Sequence, residues 1–191
     1  MKMNRNATDV RRGRAARARR GFSLLEVAVG TSLLTMGISS LLSVIVGYGK
    51  LVRVNQESAI AQQSARRMLE QIQDANFAQV FATYNQSTAD DPGGVGTAPG
   101  KDFVVRGLRP VNNDADGRVG EILFPMVGTQ LRENVNDTAL GMPRDLSGDA
   151  VTDAADHASN YVLLPVTIRL RWRGVTGNRT LTVRHLLSNR S

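Results

Sequence analysis

Between Phe22 and Val46 the chain runs for 25 residues, FSLLEVAVGTSLLTMGISSLLSVIV, with a single charge, Glu26. At about 1.5 Å per residue, an apolar helix of about 20 residues crosses the hydrocarbon core of a bilayer, so this stretch is long enough to span one. A carboxylate inside such a segment is costly, and it marks a functional partner rather than an accident. Any fold for this chain has to accommodate that segment and account for that charge.

The flanks orient it. The formal charge of +7 over 191 residues would suggest a nucleic-acid-binding protein if it were spread over a surface. It is not spread. Residues 1–21 hold eight basic side chains, Lys2, Arg5, Arg11, Arg12, Arg14, Arg17, Arg19 and Arg20, against one acid, Asp9. The remaining 170 residues hold 16 basic and 16 acidic side chains, so no nucleic-acid partner is evident. A cationic block in front of an apolar segment is a topogenic signal: it holds the N-terminus in the cytoplasm and directs the downstream chain across the membrane. Lys50 and Arg53 on the far side are too few to reverse that bias. Without cysteine, neither a disulfide framework nor a thiolate metal site is available, and an exported domain must stand on its apolar core.

Gly21 stands where the charge ends and the apolar run begins, the position of a processing site. Arg20-Gly21-Phe22-Ser23-Leu24-Leu25-Glu26-Val27 resembles the prepilin signal of type IV pilins and type II secretion pseudopilins. The resemblance covers about ten residues. It implies cleavage by a prepilin peptidase between Gly21 and Phe22, N-methylation of Phe22, and Glu26 as fifth residue of the mature chain. It further implies a fimbrial or pseudopilus subunit that partners with other pilin or pseudopilin subunits and an inner-membrane assembly platform. In a filament of side-by-side helices, the Glu26 carboxylate pairs with the N-terminal amine of a neighbour. That pairing offsets a burial cost neither charge meets alone, and it favours one axial register. A rival reading of Arg19-Arg20-Gly21-Phe22-Ser23-Leu24 is a twin-arginine export signal. It requires a short apolar region and a small-residue cleavage site; here the apolar run continues to Val46 and contains Glu26.

Within the run, Gly30, Gly37, Ser40, Ser43 and Gly47 supply small residues that let helices approach closely, or merely dilute an anchor. No proline precedes Pro92, whereas many major pilins carry one midway through this helix, so no sharp kink is expected. From Leu51 the pattern becomes one-sided: Leu51, Val54, Ser58, Ala61, Ala65, Met68 and Ile72 recur at alternate steps of three and four. This predicts one continuous helix from about Phe22 to Tyr84, its second half packed beneath a sheet, with a coiled coil as the alternative. Ser87 to Lys101 is a loop by composition; Val95 and Asp102 stand where a phosphate-binding loop needs Gly and Ser or Thr. Short strands are expected over Phe103–Leu108 and Glu121–Val127. Tyr161–Arg173 alternates Val166, Ile168, Leu170 and Trp172 with Thr167, Arg169, Arg171 and Arg173. Beyond a turn at 174–178, Leu181, Val183, His185 and Leu187 alternate with polar neighbours. That is an antiparallel hairpin with one buried face, on which His185 reads as a core histidine. The expected architecture is α+β: a long N-terminal helix, transmembrane in its first half and amphipathic in its second, packed on a small antiparallel β-sheet. The segments are a leader (1–21), a membrane or filament-core helix (22–48), its amphipathic continuation (49–84) and a β-rich domain (85–191).

Residues 145–156, DLSGDAVTDAAD, place oxygen-bearing groups at the spacing of an EF-hand-type loop. These are Asp145, Ser147, Asp149, the Val151 carbonyl, Asp153 and Asp156, and the stretch resembles the calcium loops of dockerin repeats. Four carboxylates in twelve residues repel unless a hard cation joins them. Against calcium, Ala150 stands where glycine makes the sharp turn, Asp156 replaces the usual Glu, and no second helix follows; a solvated acidic loop fits the same residues. The stretch Asn112–Gly117 begins similarly but reads better as an Asp-Gly turn. No enzyme is nominated: with His157 and His185 the only histidines, and neither H-E-x-x-H nor G-x-S-x-G, nothing converges on a catalytic site. No cofactor is required by any motif, and calcium is the only candidate. The reading is a structural subunit of a type IV pilus or pseudopilus, more a minor pilin or pseudopilin than a bulk subunit. The alternative is a single-pass, membrane-anchored, exported binding protein that does not polymerise.

Overall fold

The computed structural model describes residues 21–189; the basic leader, residues 1–20, lies outside the described residues. Among the described residues a 51-residue α-helix, α1 (Leu24–Asp74), comes first, followed by a second α-helix, α2 (Phe77–Tyr84), and later by a single 3-10 turn at Thr138–Leu140. Four antiparallel strands form the main sheet in the order β1 (Asp102–Phe103), β2 (Gly120–Leu123), β5 (Leu163–Gly174), β6 (Gly177–Ser188). A separate ribbon pairs β3 (Met126–Val127) with β4 (Gln130–Leu131). The chain is α+β, with one long N-terminal helix and an antiparallel sheet.

Two compact units divide it, residues 1–46 and 47–191. In the first, every described residue is exposed. The helix carrying them contains a window of mean hydropathy 1.8, long and apolar enough to cross a membrane. The second unit has the core. Ala61, Ala65 and Ile72 are buried there as the helical period predicts, together with Val80, Phe81, Ile122, Leu164, Val166, Ile168 and Leu170. The stripe is uneven: Leu51 is exposed, while Val54, Ser58 and Met68 are half-buried. Polar ties supplement the packing, with Gln73 Nε2 3.0 Å from His185 Nε2 and the Val175 N–H donating to Glu57 Oε1. His185 is half-buried and stands outside the core expected for it, with Gln73 as its partner.

The helix is not continuous to Tyr84. It stops at Asp74, and Asn76 caps a new helix by accepting the Ala78 N–H on its side-chain oxygen. Tyr161 holds this corner from outside α2: its hydroxyl donates to the Phe77 carbonyl and accepts from the Phe81 N–H. An asparagine cap satisfies a backbone donor that an uninterrupted helix would not leave free, so the break is locally stable.

The hairpin follows the alternation. Val166, Ile168, Leu170 and Trp172 are buried, opposite His185, Val183, Leu181 and Arg179. At the last pair an arginine replaces an apolar partner, its guanidinium 5.8 Å above the Trp172 ring. On the other face Thr167 is also buried, and Arg169 is paired at 2.6 Å with Glu121 of β2. Burial works to raise the Glu121 pKa, but Arg169 and Lys101 together pull it below its ordinary value. The expected strand over Phe103–Leu108 shortens to two residues, because the chain turns at Gly107, whose φ is +90°. The expected strand over Glu121–Val127 divides at Phe124-Pro125 between the main sheet and the ribbon.

Candidate functional site

Two regions carry the residues singled out by the sequence. At the first, Gly21 to Ser23 precede the helix, and Ser23 is its N-cap: the hydroxyl accepts the Glu26 N–H at 3.2 Å. Glu26 lies in the first turn, three residues after the cap, where a carboxylate faces the positive end of the helix dipole. Ser23 and Glu26 thus have the spacing of a capping box, a signal present in the sequence as S-x-x-E. Phe22 is exposed, and so is the whole apolar surface behind it, including Leu25, Leu33, Met36 and Leu42.

The second region is the acidic loop. Asp145 folds it back on itself, one carboxylate oxygen accepting from the Gly148 N–H (2.6 Å) and Ser147 hydroxyl, the other from the Ala150 N–H (2.7 Å). Burial opposes these bonds, but together they hold the Asp145 pKa below its usual range. Ala150, at the position where calcium loops carry glycine, takes a left-handed φ of +67°. The sharp turn is therefore present although the residue that normally permits it is not.

What organises the loop is a residue the sequence did not mark. Glu133 has no exposed surface; one of its oxygens accepts from the Leu146 (2.6 Å) and Ser147 (2.9 Å) N–H groups, the other from the Asp153 N–H (3.3 Å). His157, also buried, brings Nε2 to 3.0 Å from Asp153 Oδ1 and 3.6 Å from Glu133 Oε2, while Nδ1 faces Asn160 Oδ1. Burial works against the imidazolium, but the Asp153 hydrogen bond and the Glu133 charge prevail, and the His157 pKa is raised.

The six loop residues do not converge as one ligand set. Three of their four carboxylates divide between two triplets that share Glu133: Glu133, Asp145 and Asp149 in one, Glu133, Asp153 and His157 in the other, each with ligand atoms within 4.8 Å. Asp156 turns away, accepting the Leu131 and Ala158 N–H groups. Ser147 spends its hydroxyl on Asp145, and Val151 donates its N–H to Asp149. The all-oxygen triplet fits a hard cation such as calcium; the triplet with an imidazole is a poorer match to it. Glu133 escaped the sequence reading because it lies in ENVNDTALGMPRD, where no periodicity signals that a carboxylate is buried.

No family model, curated protein or solved structure matches this chain.

Proposed function

We propose that the chain is a subunit of a type IV pilus or type II secretion pseudopilus-like filament, processed between Gly21 and Phe22 and assembled through its N-terminal helix. One observation carries the reading: a long apolar helix starts three residues after Gly21, is capped by Ser23, holds one carboxylate in its first turn, and is exposed throughout residues 24–46. A surface of that size needs a lipid or protein environment, and Glu26 needs a cation within it. The basic leader holds the N-terminus in the cytoplasm until a prepilin peptidase removes it, and the inner-membrane platform then passes the helix into the filament. There Glu26 pairs with the methylated amine of Phe22 in an adjacent subunit.

Mass spectrometry of the membrane-extracted protein is expected to show a chain starting at N-methylated Phe22. Glu26→Ala is expected to keep that start and lose incorporation into the filament. An intact Met1, or cleavage beyond Val46, sinks this reading in favour of a membrane-anchored protein that does not polymerise.

Calcium belongs to the same proposal in a narrower form, held by Asp145, Asp149 and Glu133, where its charge would relieve their repulsion. Millimolar calcium is then expected to raise the unfolding temperature of the full chain, and Asp149→Ala to remove the increase. No increase in the unsubstituted chain refutes the site.

A further inference from the structure

The β5–β6 hairpin carries opposite charge at its two ends. At the turn, a groove of about 460 Å³ between α1, the segment after β1 and the end of β5 is lined by Arg53, Arg109 and Arg173, all exposed. None of the three is in an ion pair among the described residues; Arg173 donates to Asn112, and the lone acid in the groove, Glu57, accepts the Val175 N–H. Trp172 lines the same groove. It is 3% exposed, its indole N–H has no partner, and neither has Nη1 of the Arg179 guanidinium above its ring. Glu57 Oε2 is likewise without a partner, so the groove holds one carboxylate against three exposed guanidinium groups.

At the other end, the Leu146 carbonyl accepts the Val162 (2.7 Å) and Leu163 (3.1 Å) N–H groups, pinning the acidic loop to the start of β5. Asp149 and Asp156 are exposed there. The 12 residues of β5 separate the two ends by about 35 Å at the rise of a strand. An antiparallel two-fold contact would satisfy both ends at once and close as a dimer, whereas a heterologous, head-to-tail contact sets one end against the other and propagates. The filament reading, with every N-terminal helix running the same way, selects the second.

We propose that the acidic loop 145–156 of one copy seats in the Arg53–Arg109–Arg173 groove of a second copy, through guanidinium–carboxylate hydrogen bonds. The contact rests on the filament reading for its repetition along one axis. It adds a docking surface in the exported unit to the one at the N-terminal helix.

The absence of cysteine makes the test clean. In membranes holding two differently tagged full-length copies, one carries Arg109→Cys and the other Asp149→Cys, with Arg109→Cys and Thr152→Cys as a second pair. Mild oxidation is expected to join the tags at a yield about tenfold above that of a Val95→Cys and Asp149→Cys control, and Arg53→Glu or high salt to bring it down to the control. Unaltered Trp172 emission verifies that each variant is folded. Yields equal to the control in both pairs, or yields indifferent to Arg53→Glu and salt, overturn the contact. A methylated Phe22 without cross-linking sinks the contact and spares the filament reading. Cross-linking in a chain that keeps Met1 does the reverse.

Discussion

Glu133 and His157 decide, at the scale of single residues, where the acidic loop lies. A buried carboxylate that accepts N–H groups from residues 146, 147 and 153 holds both halves of the loop through one side chain. Hydrogen bonds to a charged group contribute about 1.5–3 kcal/mol each, so losing them would release the loop before the sheet. His157 supplies the compensating charge, which makes the arrangement sensitive to pH. Its raised pKa means that its contribution is complete below the ordinary value of 6.5 and is lost as pH rises through the folded value. Asp153 responds in the opposite sense: the His157 bond and the Ala155 N–H lower its pKa, so its contribution is present at neutral pH and lost only in acid. The two windows are separate. With chelator present, the unfolding temperature read by Trp172, the only tryptophan in the chain, is expected to fall between about pH 6 and pH 8. His157→Gln should be less stable at the lower pH and flat across that window; a slope that survives the substitution places the titration elsewhere.

At the scale of elements, the close fit of β1 on β2 depends on a missing side chain. A Cβ on Gly120 would lie 2.3 Å from the Phe103 ring, so the ring occupies the space that any other residue would fill. Gly120→Ala is expected to cost about 1–3 kcal/mol through overpacking. Phe103→Leu in the same chain should recover part of that loss, a non-additivity measurable by denaturant unfolding followed at Trp172. If the two losses simply add, the ring is not the obstacle. This contact also marks where the sequence stops being legible. The long helix and the β5–β6 hairpin are readable because they repeat, at 3.6 and 2 residues, over stretches long enough for one buried face to declare itself. The break at Asn76, the two-residue β1 and the β3–β4 ribbon follow from a cap, a glycine turn and a proline that act once each. In the acidic loop the sequence marks the acids, but Glu133 and His157 are missing from its ligand spacing. Their roles come from the folding of 131–133 against 145–157, a pairing that no local period encodes.

Charge is distributed across the whole molecule with the apolar helix as the divide. Eight of the basic side chains precede Gly21 and lie opposite a single acid, whereas the 170 residues after it balance. A balanced domain gives the membrane no electrostatic reason to retain it on either side, so under the filament reading its side is set by the residues flanking the apolar helix. The positive-inside bias counts basic residues close to the segment, and Arg14, Arg17, Arg19 and Arg20 all stand within eight residues of Phe22. Lys50 and Arg53 exert a weaker pull in the opposite direction. A reporter enzyme active only outside the cytoplasm, fused after Ser191, is therefore expected to be active. Replacing Arg14, Arg17, Arg19 and Arg20 by Gln should lower that activity by roughly half or more, while replacing Lys50 and Arg53 leaves it unchanged or higher. Gly21 is intact in both variants, so an active fusion with a neutralised leader separates orientation from processing. It would show that the leader does not set the orientation, with the apolar helix orienting itself.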